Sequence, residues 1–434
     1  MAAKRPSQNA ELLGTLEQFP AIMDNLREIL DLCQATHGEL LDAHQLEDAL
    51  VPAVRQLGRN CVEAWAREAE GRVAAELKQS DCSVRYGKKK TLSWYSSFGK
   101  VSVQERIWRN SKTTYLRVFV SKVGLSHRCC SRRVQRLVTD FGADHSFAQA
   151  ASKMKEHHGV ELCATVVRKL TYEHAERARQ LLEEQYAGPV RSLPRQGVDH
   201  IIAEADGSYI RIVQPGKRKQ KRQWDWKEIR LVAAQAKDQV QARYAVTFQT
   251  VEEAAHRLGH CAKAVGRGLN TRIHALGDGA KWIELRVEEV FGTMMSFLCD
   301  FFHVSEYLYA AGKSLRARAP KSWMKTQQRR LRRNDVGKVL RELLPGLEPE
   351  HLPDEQAPVR QAHRYLSNRL DQLDYAGALA NDLPIGSGLV ESGHRHILQA
   401  RMKCSGFGWL APNAERMAQL RVFRANDQWK TLWN

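Results

Sequence analysis

Three acidic residues of this 434-residue chain occupy positions from which they could meet. Asp206 closes Ile-Ile-Ala-Glu-Ala-Asp-Gly, Asp278 closes Ile-His-Ala-Leu-Gly-Asp-Gly, and Glu391 lies in Pro-Ile-Gly-Ser-Gly-Leu-Val-Glu-Ser-Gly-His-Arg-His, from Pro384 to His396. Each aspartate follows a strand-like apolar run, and the glutamate follows a glycine-rich turn onto a helix studded with basic residues. Phosphodiester chemistry at neutral pH needs stabilisation of charge on both the attacking and the leaving oxygen, which two Mg²⁺ ions about 3.5 to 4 Å apart supply. Hard cations take oxygen ligands, and a protein need contribute only a few carboxylates. The spacing therefore predicts a two-metal phosphoryl-transfer site, taking Mg²⁺ or Mn²⁺ and no organic cofactor. Gly207, Gly279 and Gly388 leave room for close approach of backbone or substrate. Read singly, each Asp-Gly pair is also a hairpin signal, and Glu391 a solvated helix carboxylate.

The charge balance points to a polyanion. Lysine and arginine number 67 against 49 acidic residues, a formal net charge of +18, and such an excess favours nucleic acid. The cations cluster at Lys88–Lys90, at Lys217, Arg218, Lys219, Lys221 and Arg222, and at Arg329–Arg333. Clusters neutralise phosphates locally, and any one of them is equally a solvated face. No stretch reaches the roughly 18 apolar residues of a membrane span, and no signal core follows the N-terminal Met-Ala-Ala-Lys-Arg-Pro. A cytoplasmic, nucleoid-associated protein is expected. The nine cysteines are scattered without a Cys-x-x-Cys pair, so neither a disulfide framework nor a zinc knuckle is predicted.

Several elements must position these groups. Residues 1–80 read as a helical arm, with Leu12, Leu16, Phe19, Met23, Leu26 and Leu30 at helical spacing. Residues 81–125 read as a small β-hairpin region, pairing the alternating run Val101 to Ile107 with a second run from Thr114 to Val120. Residues 130–187 resemble a helix-turn-helix: Ser146 caps a helix from Phe147 to His157, a turn follows at His158-Gly159-Val160, and a second helix runs from Ala164 to Ala178. Arg168 and Lys169 on that second helix are candidate DNA contacts; a helix pair on a glycine turn is also ordinary core architecture. Strands at Ile201–Ile212, Ile229–Ala234 and Tyr244–Phe248, a helix from Val251 to Gly266, and a strand at Arg272–Leu276 predict an α/β unit with an antiparallel start over 195–315. Its tail from Val287 to Leu315 reads as helical. A helical, basic stretch at 316–380 interrupts this unit, and 381–434 resumes it with the helix carrying Glu391.

The order of Ala-Asp-Gly-Ser-Tyr-Ile, Lys227–Leu231, Gly-Asp-Gly-Ala-Lys-Trp-Ile (Gly277–Ile283), Asp-Phe-Phe-His (Asp300–His303) and Gly-Ser-Gly-Leu-Val-Glu (Gly386–Glu391) resembles DDE-type transposases of bacterial insertion sequences. It looks most like the ISKra family, and the Asp-x-x-His is similar to a signature of the Mutator-like group. The resemblance covers about residues 130–430. It implies a ribonuclease H-like core interrupted by a helical insertion, with Asp206, Asp278 and Glu391 as catalytic metal ligands. It implies hydrolysis at the element's end, releasing a 3′-hydroxyl that attacks target DNA in line. The implied partners are terminal inverted repeats and target DNA, bound by a homo-oligomer. Many relatives carry a Cys-x-x-Cys zinc element in the β region near 85–120; this chain has none.

Beside the carboxylates, Asp300 and His303 share a helical face and are accessory candidates for orienting a strand or a water. His394, Arg395, Arg401 and Lys403 follow Glu391 and are candidates for scissile phosphates, Arg395 being equally a helix ion-pair partner of Glu391. Trp282 and Trp409 are candidates for stacking on an unpaired base, or for core packing. Two other readings share these residues: a sequence-specific DNA-binding regulator without catalysis, and a structure-selective nuclease of the same core type.

Overall fold

The computed structural model describes residues 8–34, 42–80, 84–109, 114–190, 192–214, 223–316, 318–404 and 408–434. The chain forms two compact units, one over 1–171 and one over 172–432, of mixed α/β composition.

The first unit opens with α1 (Gln8–Leu16), α2 (Pro20–Gln34) and the long α3 (Ala43–Ser80). Asn60 on α3 donates to Asn25 Oδ1 on α2 at 2.6 Å. The opposite side of α3 packs Ala66, Val62, Ala69 and Val73 onto Leu92, Trp94, Val101 and Val103. Those last residues belong to β1 (Arg85–Ser96) and β2 (Gly99–Arg109), an antiparallel hairpin closed where Ser96 pairs with Gly99. Gly99 holds φ +107° there, a conformation that favours glycine. This differs from the expected hairpin, because β2 pairs backwards with Arg85–Ser96 and only Tyr115–Leu116 (β3) adds to its other side. The buried Glu105 accounts for the difference. It binds the Arg117 guanidinium at 2.6 Å and accepts from Val120 N at 3.3 Å, which turns the run into α4 (Val118–Val123).

Next come α5 (Arg132–Asp144), α6 (Phe147–His158) and α7 (Ala164–Gln185). Val134, Val138, Ala150, Met154, Val160 and Val167 form their shared core. The predicted Ser146 cap is present as a capping box with Gln149, and Gly159 ends α6 at φ +63°.

The second unit is built on a five-stranded sheet: β4 (His200–Gln214), β5 (Gln223–Ala236), β6 (Arg243–Thr247), β7 (Arg272–Gly277) and β8 (Met295–Cys299), in the order β6-β5-β4-β7-β8. β4–β5 and β5–β6 are antiparallel, whereas β4–β7 and β7–β8 are parallel. α8 (Val251–Ala264) and α9 (Lys281–Phe291) provide the crossovers. β8 corrects the expectation of unbroken helix from Val287 to Leu315. Gly292 at φ +61° ends α9, and Met-Ser-Phe-Leu-Cys pairs with β7 before α10 (Phe301–Leu315) begins.

The helices of 316–380 are α11 (Pro320–Leu331), α12 (Val336–Leu343), α13 (Pro358–Ser367) and α14 (Tyr375–Ala380). They are a layer of the core: Leu331, Val339, Val359, Leu366 and Tyr375 bury against Ile202, Leu276, Leu298 and Phe301. The chain ends through α15 (Gly388–Gly393), a π-helical stretch His394–Gln399, α16 (Ala400–Met402) and α17 (Ala411–Ala425). Among the described residues no helix is long and apolar enough to cross a membrane.

Candidate active site

The sheet register brings the two aspartates together. The parallel pairing of β4 with β7 runs to Glu204 opposite Leu276. Asp206 lies two residues beyond that last pair along β4, and Asp278 lies two residues beyond it, just past the end of β7. Asp206-Gly207 is not a turn: β4 runs straight through it. Asp278 sits where β7 ends, in a turn held by α13 and the segment after it. The Tyr365 hydroxyl donates to Asp278 O at 2.6 Å, and Arg369 Nε and Nη2 donate to Gly279 O at 3.0 and 2.7 Å. Asp278 Oδ1 accepts from Ala280 N at 2.8 Å.

Gly279 has φ +78°, and an added Cβ would stand 2.6 Å from Arg369 Nε and 2.7 Å from Tyr365 Oη. Gly279→Ala must therefore move the clamp or the turn. A displacement of about 1 Å costs on the order of a hundredfold in rate. A turnover assay with a parallel thermal melt is expected to show that loss in the still-folded variant.

Glu391 is delivered by α15, whose N-terminus is held by two buried acids. Glu204 Oε2 accepts from Val390 N at 2.8 Å. Asp300 Oδ2 accepts from Ser387 N at 2.7 Å and from the Ser387 hydroxyl, while its Oδ1 accepts from Phe302 N and His303 N and so caps α10. With both oxygens accepting in this way, Asp300 positions the start of α15 from the lining of the cleft itself. The preceding loop is tied down as well: Phe301 N donates to Ile385 O at 2.9 Å, and His274 Nε2 lies 2.8 Å from Pro384 O. Burial pushes the Glu204 carboxyl up to about 8, against the lowering effect of the Val390 and Leu389 N–H groups and with a further upward push from Asp300.

Asp206, Asp278 and Glu391 all line one open cleft of about 770 Å³, together with His303, His394 and Arg395. Asp206 Oδ1 accepts from Gly207 N at 2.7 Å, and its Oδ2 lies 3.0 Å from His394 Nε2. That contact is close but not aligned as a hydrogen bond, and neither ring nitrogen of the buried His394 has a hydrogen-bond partner. His394 opens the π-helical stretch, a geometry frequent at functional sites. Glu391 is 75% exposed, and its 3.4 Å contact with the equally exposed Arg395 is a surface pair of small energy. His303 stands 3.6 Å from Glu306 and edge-on to Tyr307 and Tyr365. Lys403 donates to the Ser208 hydroxyl, two residues beyond Asp206.

Among the described residues no three His, Cys, Asp or Glu side chains already form a cluster able to hold a metal. The donor chemistry nevertheless suits hard divalent cations: three carboxylates in one cleft, Glu391 among them exposed to solvent.

Of the basic candidates, Arg168 and Lys169 are exposed near the start of α7. Arg401 is 2% exposed and stacks over the Trp409 ring, so it is core and cannot reach a phosphate. Trp409 is buried as well, and Trp282 is half-buried with Arg230 over its ring. Lys217, Arg218, Lys219, Lys221 and Arg222 lie outside the described residues. Sequence reasoning missed Glu204, Tyr365 and Arg369 as site-building residues; His394, expected to meet a scissile phosphate, lies instead beside the Asp206 carboxylate. Only Glu204 carried a local signal, an acid inside an apolar strand run on the same face as Asp206.

No protein-family model matches the chain, and no curated protein matches it significantly.

Proposed function

We propose that this chain is a DDE-type DNA transposase that cleaves the ends of an insertion sequence and joins the released 3′-hydroxyl to target DNA. The observation that carries the reading is the convergence of Asp206, Asp278 and Glu391, from three distant segments, in one cleft of a strongly basic protein. The strand order β6-β5-β4-β7-β8, with three antiparallel strands followed by two parallel additions, supports a ribonuclease H-like core. The motif order around these residues resembles that of bacterial insertion-sequence transposases.

Asp206, Asp278 and Glu391 would hold the divalent cations, Mg²⁺ or Mn²⁺, which supply charge stabilisation to the attacking and leaving oxygens of an in-line displacement. The protein's own part is positioning. The β4–β7 register sets the two aspartates, Tyr365 and Arg369 fix the Asp278 turn, and Glu204 and Asp300 fix the start of the Glu391 helix. Arg395, against Glu391, and Lys403, against Ser208 two residues beyond Asp206, are placed to meet a scissile phosphate, and exposed Arg168 and Lys169 serve terminal-repeat binding. Pairing two DNA ends calls for a homo-oligomer on DNA.

The test is nicking and strand joining on labelled duplexes made from the DNA flanking the gene, with Mg²⁺, Mn²⁺ or EDTA, comparing wild type with Asp278→Asn. End-specific, metal-dependent products absent from the variant are expected. Cutting of branched DNA without joining would assign a structure-selective nuclease. Specific binding with no products in either metal would assign a regulator.

A further inference from the structure

The pairing of β4 with β5 runs well beyond the rest of the sheet. β7 accompanies β4 only to Glu204, and β6 accompanies β5 only from Arg230 onward, yet β4 and β5 stay paired out to Gln214 opposite Gln223. The outer part is a two-stranded ribbon, joined along the β4 edge by Trp409, which exchanges backbone hydrogen bonds with Arg211 and Val213. One face of the ribbon is core, with Ile210 and Ile212 buried. In such a ribbon the other face is ordinarily polar.

Here the other face is aromatic. Residues paired across the strands share a face, and the pairs Tyr209–Glu228, Arg211–Trp226 and Val213–Trp224 make one continuous strip. Tyr209, Trp224 and Trp226 are 56, 43 and 61% exposed, and the Arg211 guanidinium lies 3.7 Å from the Trp224 ring centroid. Three large rings left in water in register with an arginine are a binding surface awaiting an occupant.

We propose that this strip binds unpaired DNA bases by stacking, next to the catalytic cleft. Charge selects the occupant. Five of the eight residues that join Gln214 to Gln223 are Lys or Arg, in a chain of net charge +18, so a second copy of the chain would bring like charges together whereas a polyanion is attracted. Stacking selects unpaired bases, since an aromatic face accepts any base once it has left the duplex. The strip lies on the face of β4 opposite Asp206, because their positions differ by an odd number of residues. It therefore holds a flank or the complementary strand while the scissile phosphate occupies the cleft. The choice of DNA rests on the proposed transposase reading; the stacking surface does not.

The test measures anisotropy and tryptophan quenching with the full chain and three DNAs of one sequence: a blunt duplex, the same duplex with an unpaired tail, and the tail strand alone. Trp226→Ala and Tyr209→Ala remove exposed rings, and a thermal melt confirms folding. Each is expected to weaken binding of tailed and single-stranded DNA by roughly tenfold, with less than about a twofold change for the blunt duplex. Equal affinities of variants and wild type, or an equal loss on all three DNAs, would overturn the proposal, as would a change in oligomeric state with unchanged DNA affinity. Wild-type cleavage measured alongside separates the two claims. Cleavage without a ring effect removes the strip alone; a ring effect without cleavage or joining removes the transposase reading alone.

Discussion

Asp206→Asn is expected to lower metal-dependent DNA cleavage by about a thousandfold or more while leaving the affinity for end DNA within about twofold of wild type. Asp206 is one of three carboxylates in the cleft, and the charge stabilisation that a metal ligand makes possible amounts to several kcal/mol in the transition state, with each 1.36 kcal/mol a factor of ten. The fold should be indifferent to the change. The side chain is 40% exposed, its one aligned hydrogen bond is to the next residue's N–H, and the amide oxygen of Asn can still accept it. Single-turnover cleavage, DNA affinity and a melting curve on the same preparation make the check. A variant that keeps more than a tenth of wild-type cleavage would remove Asp206 from the chemistry.

His394 supplies the companion measurement. Its ring is buried beside the Asp206 carboxylate with both nitrogens unpartnered. His394→Gln is expected to weaken Mn²⁺ binding, followed by calorimetry or electron paramagnetic resonance, and to lower cleavage less than Asp206→Asn does. Unchanged Mn²⁺ affinity would make the histidine a packing residue only.

The second large effect is expected at Glu204, which the mechanism does not place in contact with DNA. Glu204→Ala leaves the Val390 N–H without its buried acceptor and opens a cavity under the start of α15. An orphaned buried donor costs roughly 1–3 kcal/mol, and the lost packing adds to this. The helix that bears Glu391 then keeps the Asp300–Ser387 hydrogen bonds but loses its tie to β4. The expected result is a melting temperature lower by several degrees together with a cleavage loss of about a hundredfold, the order associated with misplacing a catalytic group by 1 Å. Glu204→Gln separates the causes. Burial disfavours the charged form of the Glu204 carboxyl, and an uncharged amide of the same shape accepts from the same N–H groups. This variant is expected to melt within a degree or two of wild type at pH 7 and to retain cleavage. A Gln variant as impaired as the Ala variant would show that Glu204 works as a charged group.

Much of the site was legible because its parts are local patterns. Apolar runs ending in Asp206 and Asp278 read as strands, and β4 and β7 are strands; the glycine-rich turn before Glu391 read as a helix start, and α15 begins at Gly388. The hairpin partner of β2 was not legible. Alternation says that a strand exists but not which run it pairs with, and here a buried acid, Glu105, decided the matter by drawing Arg117 and Val120 into α4. β8 was missed because a five-residue run, Met-Ser-Phe-Leu-Cys, beside a long helical pattern is too short to carry a periodicity of its own.

By itself, the sequence determined which residues are acidic, which segments are strand or helix around them, and that the chain as a whole is strongly basic, because hydrophobic period, glycine and net charge are properties of short windows or simple sums. Tertiary structure alone decided that Asp206 and Asp278 line one cleft, that the helices of 316–380 form a core layer whose Tyr365 and Arg369 grip the Asp278 turn, and that Arg401 is buried while Trp226 is not. These outcomes rest on hydrogen bonds and packing between residues some ninety to nearly two hundred positions apart, such as Tyr365 to Asp278 and Glu204 to Val390. Bonds of that range leave no mark in either local segment, because each partner is compatible with many surroundings until the fold selects one.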